Sequence, residues 1–139
     1  MAVAAQLYGE IEDFYARHMR LVDQGRVDEW GDTFTVDATI SNNANPRPAH
    51  GREAIVSVIR RASAELESRG VQHRHWMGML VVDPVDEKSV RVSSYALLMA
   101  VAQGTAPAID RSTFCEDLLV RVDEDWQIHE RRVQHDALG

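Results

Sequence analysis

After Gly70 the sequence offers strands only. Four long runs, 71–82, 88–103, 109–122 and 125–134, are rich in branched and apolar residues, and the breaks "DPVDEK" and "DEDW" between them are short and turn-rich. Runs of that kind joined so closely pair as hairpins. A chain that ends in such a meander must find a cover for one face of it, and the first half has to supply that cover.

The first half is helical. From Leu7, apolar or aromatic residues recur at Ile11, Phe14, Tyr15, Met19, Leu21 and Val22, the spacing of an amphipathic helix that ends at "DQG". A short second helix, "VDEWGDTF", buries Trp30 and Phe34, and "VDATISNN" reads as a first strand broken by "NPRP". The third helix opens after Gly51 with Glu53 in its first turn, repeats Ile55, Val58, Ile59, Ala62 and Leu66 on one face, and stops at Gly70. The expected class is therefore α+β, with three N-terminal helices on a curved, mostly antiparallel sheet. At 139 residues the whole chain, 1–139, is expected to be one domain.

Charge and cysteine content remove several function classes. The formal net charge is -7 and no basic patch stands out, which argues against a nucleic-acid partner. The lone Cys115 rules out an internal disulfide, and no cysteine pair offers a zinc site. The N-terminal "MAVAAQLYGEIEDF" lacks the marks of a signal peptide and no apolar run approaches membrane-spanning length. A cytoplasmic location without membrane attachment is the expectation.

The stretch "GVQHRHWMGMLVV", 70–82, carries the most chemistry. On a strand, His73, His75, Met77 and Met79 share one face while Arg74, Trp76, Gly78 and Leu80 share the other. "HRH" has the look of a two-histidine metal arm, yet no third ligand follows at a recognisable spacing, so no metal is expected. In "STFCEDLLVRV", Thr113, Cys115, Asp117 and Leu119 fall on one face and Phe114, Glu116, Leu118 and Val120 on the other, and the sequence leaves open which face looks inward. His18 lies on the apolar stripe of the first helix and reads as a packing residue. Cys115 has no activating neighbour in sequence.

The element order and several local segments resemble the SnoaL-like, nuclear-transport-factor-two-like family: "LVDQGRVDEWGDTFTVDATI", "GREAI", "RHWMG" and "LLVRVDEDWQIHERR". The likeness spans about residues 5–135 and implies a cone-shaped α+β barrel with a pocket at its wide end. Within the family the segments are most similar to scytalone dehydratase and related polyketide cyclase-dehydratases. That resemblance implies a dyad of Asp23, in "LVDQG", and His75, in "QHRHWMG", handling a proton next to a ketone. It also implies a role for Asp117, at a position where many SnoaL-like chains carry an aspartate. An imidazole oriented by a carboxylate suits general-base work near neutral pH. A carboxyl turned into an apolar cone would serve as acid or base.

Departures from the dehydratase pattern are as informative. Its two tyrosines are Val22 and Asn42 here, and its second pocket histidine falls in the apolar "YALLMAVA". A group to protonate a leaving hydroxyl is therefore not evident, and proton abstraction alone, as in ring closure or isomerisation, asks less of the residues present. Tyr15, Met19, Trp30, Phe34, Asn42, Met77 and Cys115 are the candidates to line a pocket for a small hydrophobic or aromatic ligand; for the aromatic and methionine residues, plain core packing is the alternative. The expected function is a cofactor-independent cyclase, dehydratase or isomerase of polyketide-type secondary metabolism, with His75 and Asp23 transferring the proton and Asp117 or Asn42 assisting. A non-catalytic binding or accessory module, like a ring-hydroxylating dioxygenase small subunit, is the alternative. An epoxide hydrolase is third, since its Asp-Arg-Asp set is not visible. A homodimer is expected, on a sheet face carrying Val90, Val92, Phe114 and Leu118.

Overall fold

A computed structural model describes residues 3–138 of the chain. The elements run α1(Ala5–Asp23), α2(Val27–Gly31), β1(Phe34–Asn42), β2(Asn45–His50), α3(Arg52–Ser68), β3(Val71–Asp86), β4(Ser89–Ala102), β5(Ala108–Val122) and β6(Asp125–His135). The strands form one six-stranded sheet in the order β2-β1-β6-β5-β4-β3, antiparallel throughout except where β1 runs parallel to β6. The three helices cover one face of this curved sheet, as expected for the α+β class. β2 and β3 are its two edges, so the cone is open rather than a closed barrel. No helix among the described residues is long and apolar enough to cross a membrane.

Helix α1 buries Ile11, Tyr15, His18 and Met19, a stripe at helical spacing. It ends in a Schellman turn: the Gly25 N–H donates to the Val22 carbonyl and the Arg26 N–H to that of Leu21, with Gly25 at φ 74°. The core packs Ile11 of α1, Trp30 of α2, Phe34 of β1 and Ile55 of α3 onto Val90, Val92, Leu119 and Ile128 of the sheet. Each such side chain, taken fully out of water, contributes about 1.5–3 kcal/mol.

Three readings of the sequence are corrected, and the stripe of α3 proves to have a second role. "NPRP" does not merely break the first strand; it forms β2, a separate edge strand, where Pro46 and Pro48 remove no hydrogen bond the sheet needs. Met79 does not share the face of His75. An extra residue between Gly78 and Val81 interrupts the pairing with β4, Met79 takes φ 55° and is 77% exposed, and Leu80 and Val82 turn inward instead. Val90 and Val92 lie in the core and not on the outer face, where Phe114 and Leu118 are half-buried. The apolar stripe of α3 packs only in part: Ile55 is buried, Val58 is 48% exposed, and Ile55, Val58, Ile59, Ala62 and Leu66 together form the wall of a cavity.

Candidate functional site

That cavity, of about 890 Å³, lies between α3, the β1–β2 hairpin, the end of α1 and the inner face of β3 to β6. Two groups of polar residues meet it. The first is at the end of α1. The Schellman turn leaves Asp23 as the last helical residue with its side chain against β3, where its Oδ1 is 2.6 Å from His75 Nδ1 and its Oδ2 accepts the His75 backbone N–H at 2.9 Å. The Asp23 backbone carbonyl accepts from Gln72 Nε2. Asp23 is nearly sealed while His75 is about a quarter exposed. A carboxylate only accepts, so Nδ1 carries the ring hydrogen and Nε2 is left with its lone pair free. His73, on the same face, stands edge-on to His75 at 6.4 Å between ring centres, with Nε2 4.0 Å from Asp110. Burial, and then the neighbouring His75, lowers the pKa of His73.

The second group lies deeper. Asp117 of β5 faces inward, which settles the face that the sequence left open, and it is directly paired in register with Arg131 of β6. Arg131 forks onto it, Nε to Oδ1 at 3.0 Å and Nη2 to Oδ2 at 2.9 Å, while the Tyr15 hydroxyl donates to Oδ2 at 2.7 Å. Arg131 Nη1 lies 3.1 Å from Nε2 of His18, whose Nδ1 is 2.7 Å from the Thr33 hydroxyl. Burial, then Arg131, holds His18 well below the usual histidine range. Burial and Asp117 raise the Tyr15 hydroxyl well above its usual value. Burial disfavours the charge on Arg131, but Asp117 outweighs it and keeps the guanidinium protonated. The carboxylate expected to stand free in an apolar cone is thus held in a buried ion pair.

Among the other candidates, Met19, Trp30, Asn42 and Cys115 line the cavity, whereas Tyr15, Phe34 and Met77 sit behind it in or against the core. Asn42 spends its side-chain oxygen on the N–H groups of Ala44 and Asn45, so it shapes the hairpin turn. Cys115 is buried and its thiol pKa is raised by that burial. Trp30 Nε1 is buried and has no hydrogen-bond partner among the described residues. Among the described residues no three His, Cys, Asp or Glu side chains gather as a metal would require.

Arg131 is the residue that sequence reasoning missed. Strict alternation from Trp126 and Ile128 points Glu130 and Arg132 inward, but a bulge at 128–130, where Ile128 faces Leu119 and Glu130 faces Leu118, reverses the parity and turns Arg131 in. The available signal was chemical: an inward Asp117 needs a cation on an adjacent strand.

A three-helix layer over an open curved sheet, with a roomy cavity between them, is the nuclear-transport-factor-two-like cone fold. Residues 3–132 match the SnoaL-like domain, and the chain belongs to that family. Among solved structures it is similar to Aln2 from a Streptomyces species, at 29% identity and TM-score 0.91 over 99% of this chain and 96% of that one. It is similar to ActVI-ORFA from Streptomyces coelicolor, at 28% identity and TM-score 0.87 over 96% and 99%. A Catenulispora acidiphila protein solved in complex with S-DNPA is 33% identical with TM-score 0.82, covering 96% of each chain. No curated protein shows significant similarity to this chain.

Proposed function

We propose that this chain is a small enzyme of aromatic polyketide-type metabolism, a cyclase, dehydratase or isomerase, working without a cofactor by proton transfer next to a ketone. The observation that carries the reading is the Asp23–His75 pair on the wall of a cavity large enough for a fused-ring molecule. Asp23 fixes the tautomer and the ring orientation, and its charge offsets the one that forms when Nε2 takes a proton. The complex of the Catenulispora relative supports a small-molecule occupant of the cavity. We also propose that two copies associate through the outer face of the sheet.

Loss of either partner removes much the same function, because the two act as one base. His75→Ala is expected to lower turnover on the order of 10²–10⁴-fold. Asp23→Asn lowers it somewhat less, and the double variant falls little below the worse single one. The measurement is exchange of the α-protons of a bicyclic aromatic ketone in deuterated water. Equal rates in wild type and His75→Ala reject His75 as the base. No exchange by the wild type with any such ketone favours the binding or accessory module. The epoxide hydrolase reading has little support, since Arg131 meets one carboxylate and the neutral His18 where two carboxylates are needed.

A further inference from the structure

The protein binds only part of the Arg131 guanidinium. A guanidinium has five N–H groups in a fixed fork. Two of those on Arg131 go to Asp117 and a third to Nε2 of His18. Among the described residues, one N–H on Nη1 and one on Nη2 find no acceptor, although Arg131 is only 6% exposed and lies on the wall of the cavity. A cation whose sole duty was to balance Asp117 would not need an open side, and donors left open in a buried place call for an acceptor that enters with a ligand or as water.

Its neighbours leave it as a strong donor. Asp117 shares its charge with the Tyr15 hydroxyl, and His18 offers a lone pair but no charge, so no second anion competes for the guanidinium. Trp30, on the same cavity, adds the buried indole N–H, without a partner among the described residues. His75 lines this cavity too.

We propose that Arg131 is the oxyanion-binding residue of the site, receiving on its open N–H groups the oxygen that becomes negative when His75 removes a proton. The inference rests on the proton-transfer reading and adds the charge it leaves unaccounted for. His75 Nε2 takes the proton from the carbon, the C–H electron pair moves into the conjugated ring system, and the negative charge arrives on a ketone oxygen held by Arg131. The proton returns from His75 to a carbon or oxygen of the same molecule, so no oxidant or co-reactant is consumed. The ligand class is a fused-ring enolisable ketone, whose conjugation carries charge away from the carbon that loses the proton. His18 is a positioning residue that holds the fork in line.

The test uses 4-nitro-1-naphthol, a fused-ring phenol whose anion is coloured and stands in for the enolate. Its ionisation when bound is followed by absorbance against pH. In the wild type the pKa of the bound probe is expected to fall below that of the free probe. Arg131→Met removes most of that fall, while His75→Gln retains it, and α-proton exchange drops about 10²–10³-fold in Arg131→Met, the usual loss for an oxyanion donor. Since Arg131→Met leaves Asp117 buried without a counter-charge, the double variant Arg131→Met with Asp117→Asn repeats the measurement with both charges gone. No bound anion in the wild type overturns the proposal, as does a fall that survives both Arg131 variants or that follows His75 instead. If the naphtholate result holds while exchange is unchanged in His75→Gln, Arg131 stands as an anion-binding group and the assignment of the base falls.

Discussion

At 0% exposure, His18 must satisfy both ring nitrogens inside the protein. Arg131 can only donate, so Nε2 accepts; Nδ1 therefore carries the hydrogen, which it gives to the Thr33 hydroxyl, and Thr33 passes its own to the Trp30 carbonyl. Protonation would set an N–H of the buried ring against the guanidinium. The consequence for stability follows from linkage. An unfolded histidine takes a proton near pH 6.5 and the folded His18 does not, so unfolding gains a proton below that pH and acid favours the unfolded chain. The stability contribution is fully present above about pH 6.5 and is lost as pH falls toward the lowered folded value, at up to about 1.4 kcal/mol per pH unit. Melting temperatures between about pH 7.5 and 5.5 should decline with acid, and His18→Gln should flatten the decline. A slope that is the same in the variant would assign it to other groups.

Elements decide where such residues land. The stop of α1 sets the position of Asp23, and Gly25 makes that stop possible by taking φ 74°. A Cβ there would meet only Ser63 Oγ at 3.7 Å, an ordinary contact, so Gly25→Ala carries a conformational cost of about 1 kcal/mol and no clash. Denaturant unfolding should show that loss, together with slower α-proton exchange because the carboxylate beside His75 shifts. Full stability and full rate in the variant would show that the turn tolerates other backbones. The same elements explain what the sequence could convey. Helices α1 and α3 were legible because their apolar period is unbroken; the end of α1 at "DQG" and the face of His75 followed from simple rules, while the pairing of Asp23 with His75 came from the family resemblance alone. Past Gly78 the bulge in β3 changed the parity, and the one in β6 hid Arg131 in the same way. The prolines of β2 masked an edge strand, since the rule against proline applies to central strands. That the stripe of α3 faces a cavity instead of a packed core could not be read from periodicity, which reports a face and not what stands opposite.

The whole molecule has an asymmetry that its elements do not. Helices roof the inner face of the sheet, while among the described residues no element lies on the outer face, which carries Trp76 at 68% exposure and Tyr95 at 57%. The register sets Tyr95 between Gly78 and Phe114 on adjacent strands, and the Tyr95 and Phe114 rings lie 6.2 Å apart, so the apolar groups form a continuous patch and not scattered single residues. Contiguous patches of this kind on a small domain mark an interaction surface. A second copy is the simplest cover, since a two-fold axis through the sheet would bury the same patch on both chains. Sedimentation at micromolar concentration should give a dimer for the wild type. Trp76→Glu together with Tyr95→Glu should give a monomer, because two buried charges facing their own copies are not tolerated. Both side chains point away from the cavity, so the monomer should keep its far-ultraviolet spectrum and its α-proton exchange rate. A wild type that sediments as a stable monomer would refute the association, and a monomeric variant that loses exchange would show that the sheet needs its partner to hold His75 in place.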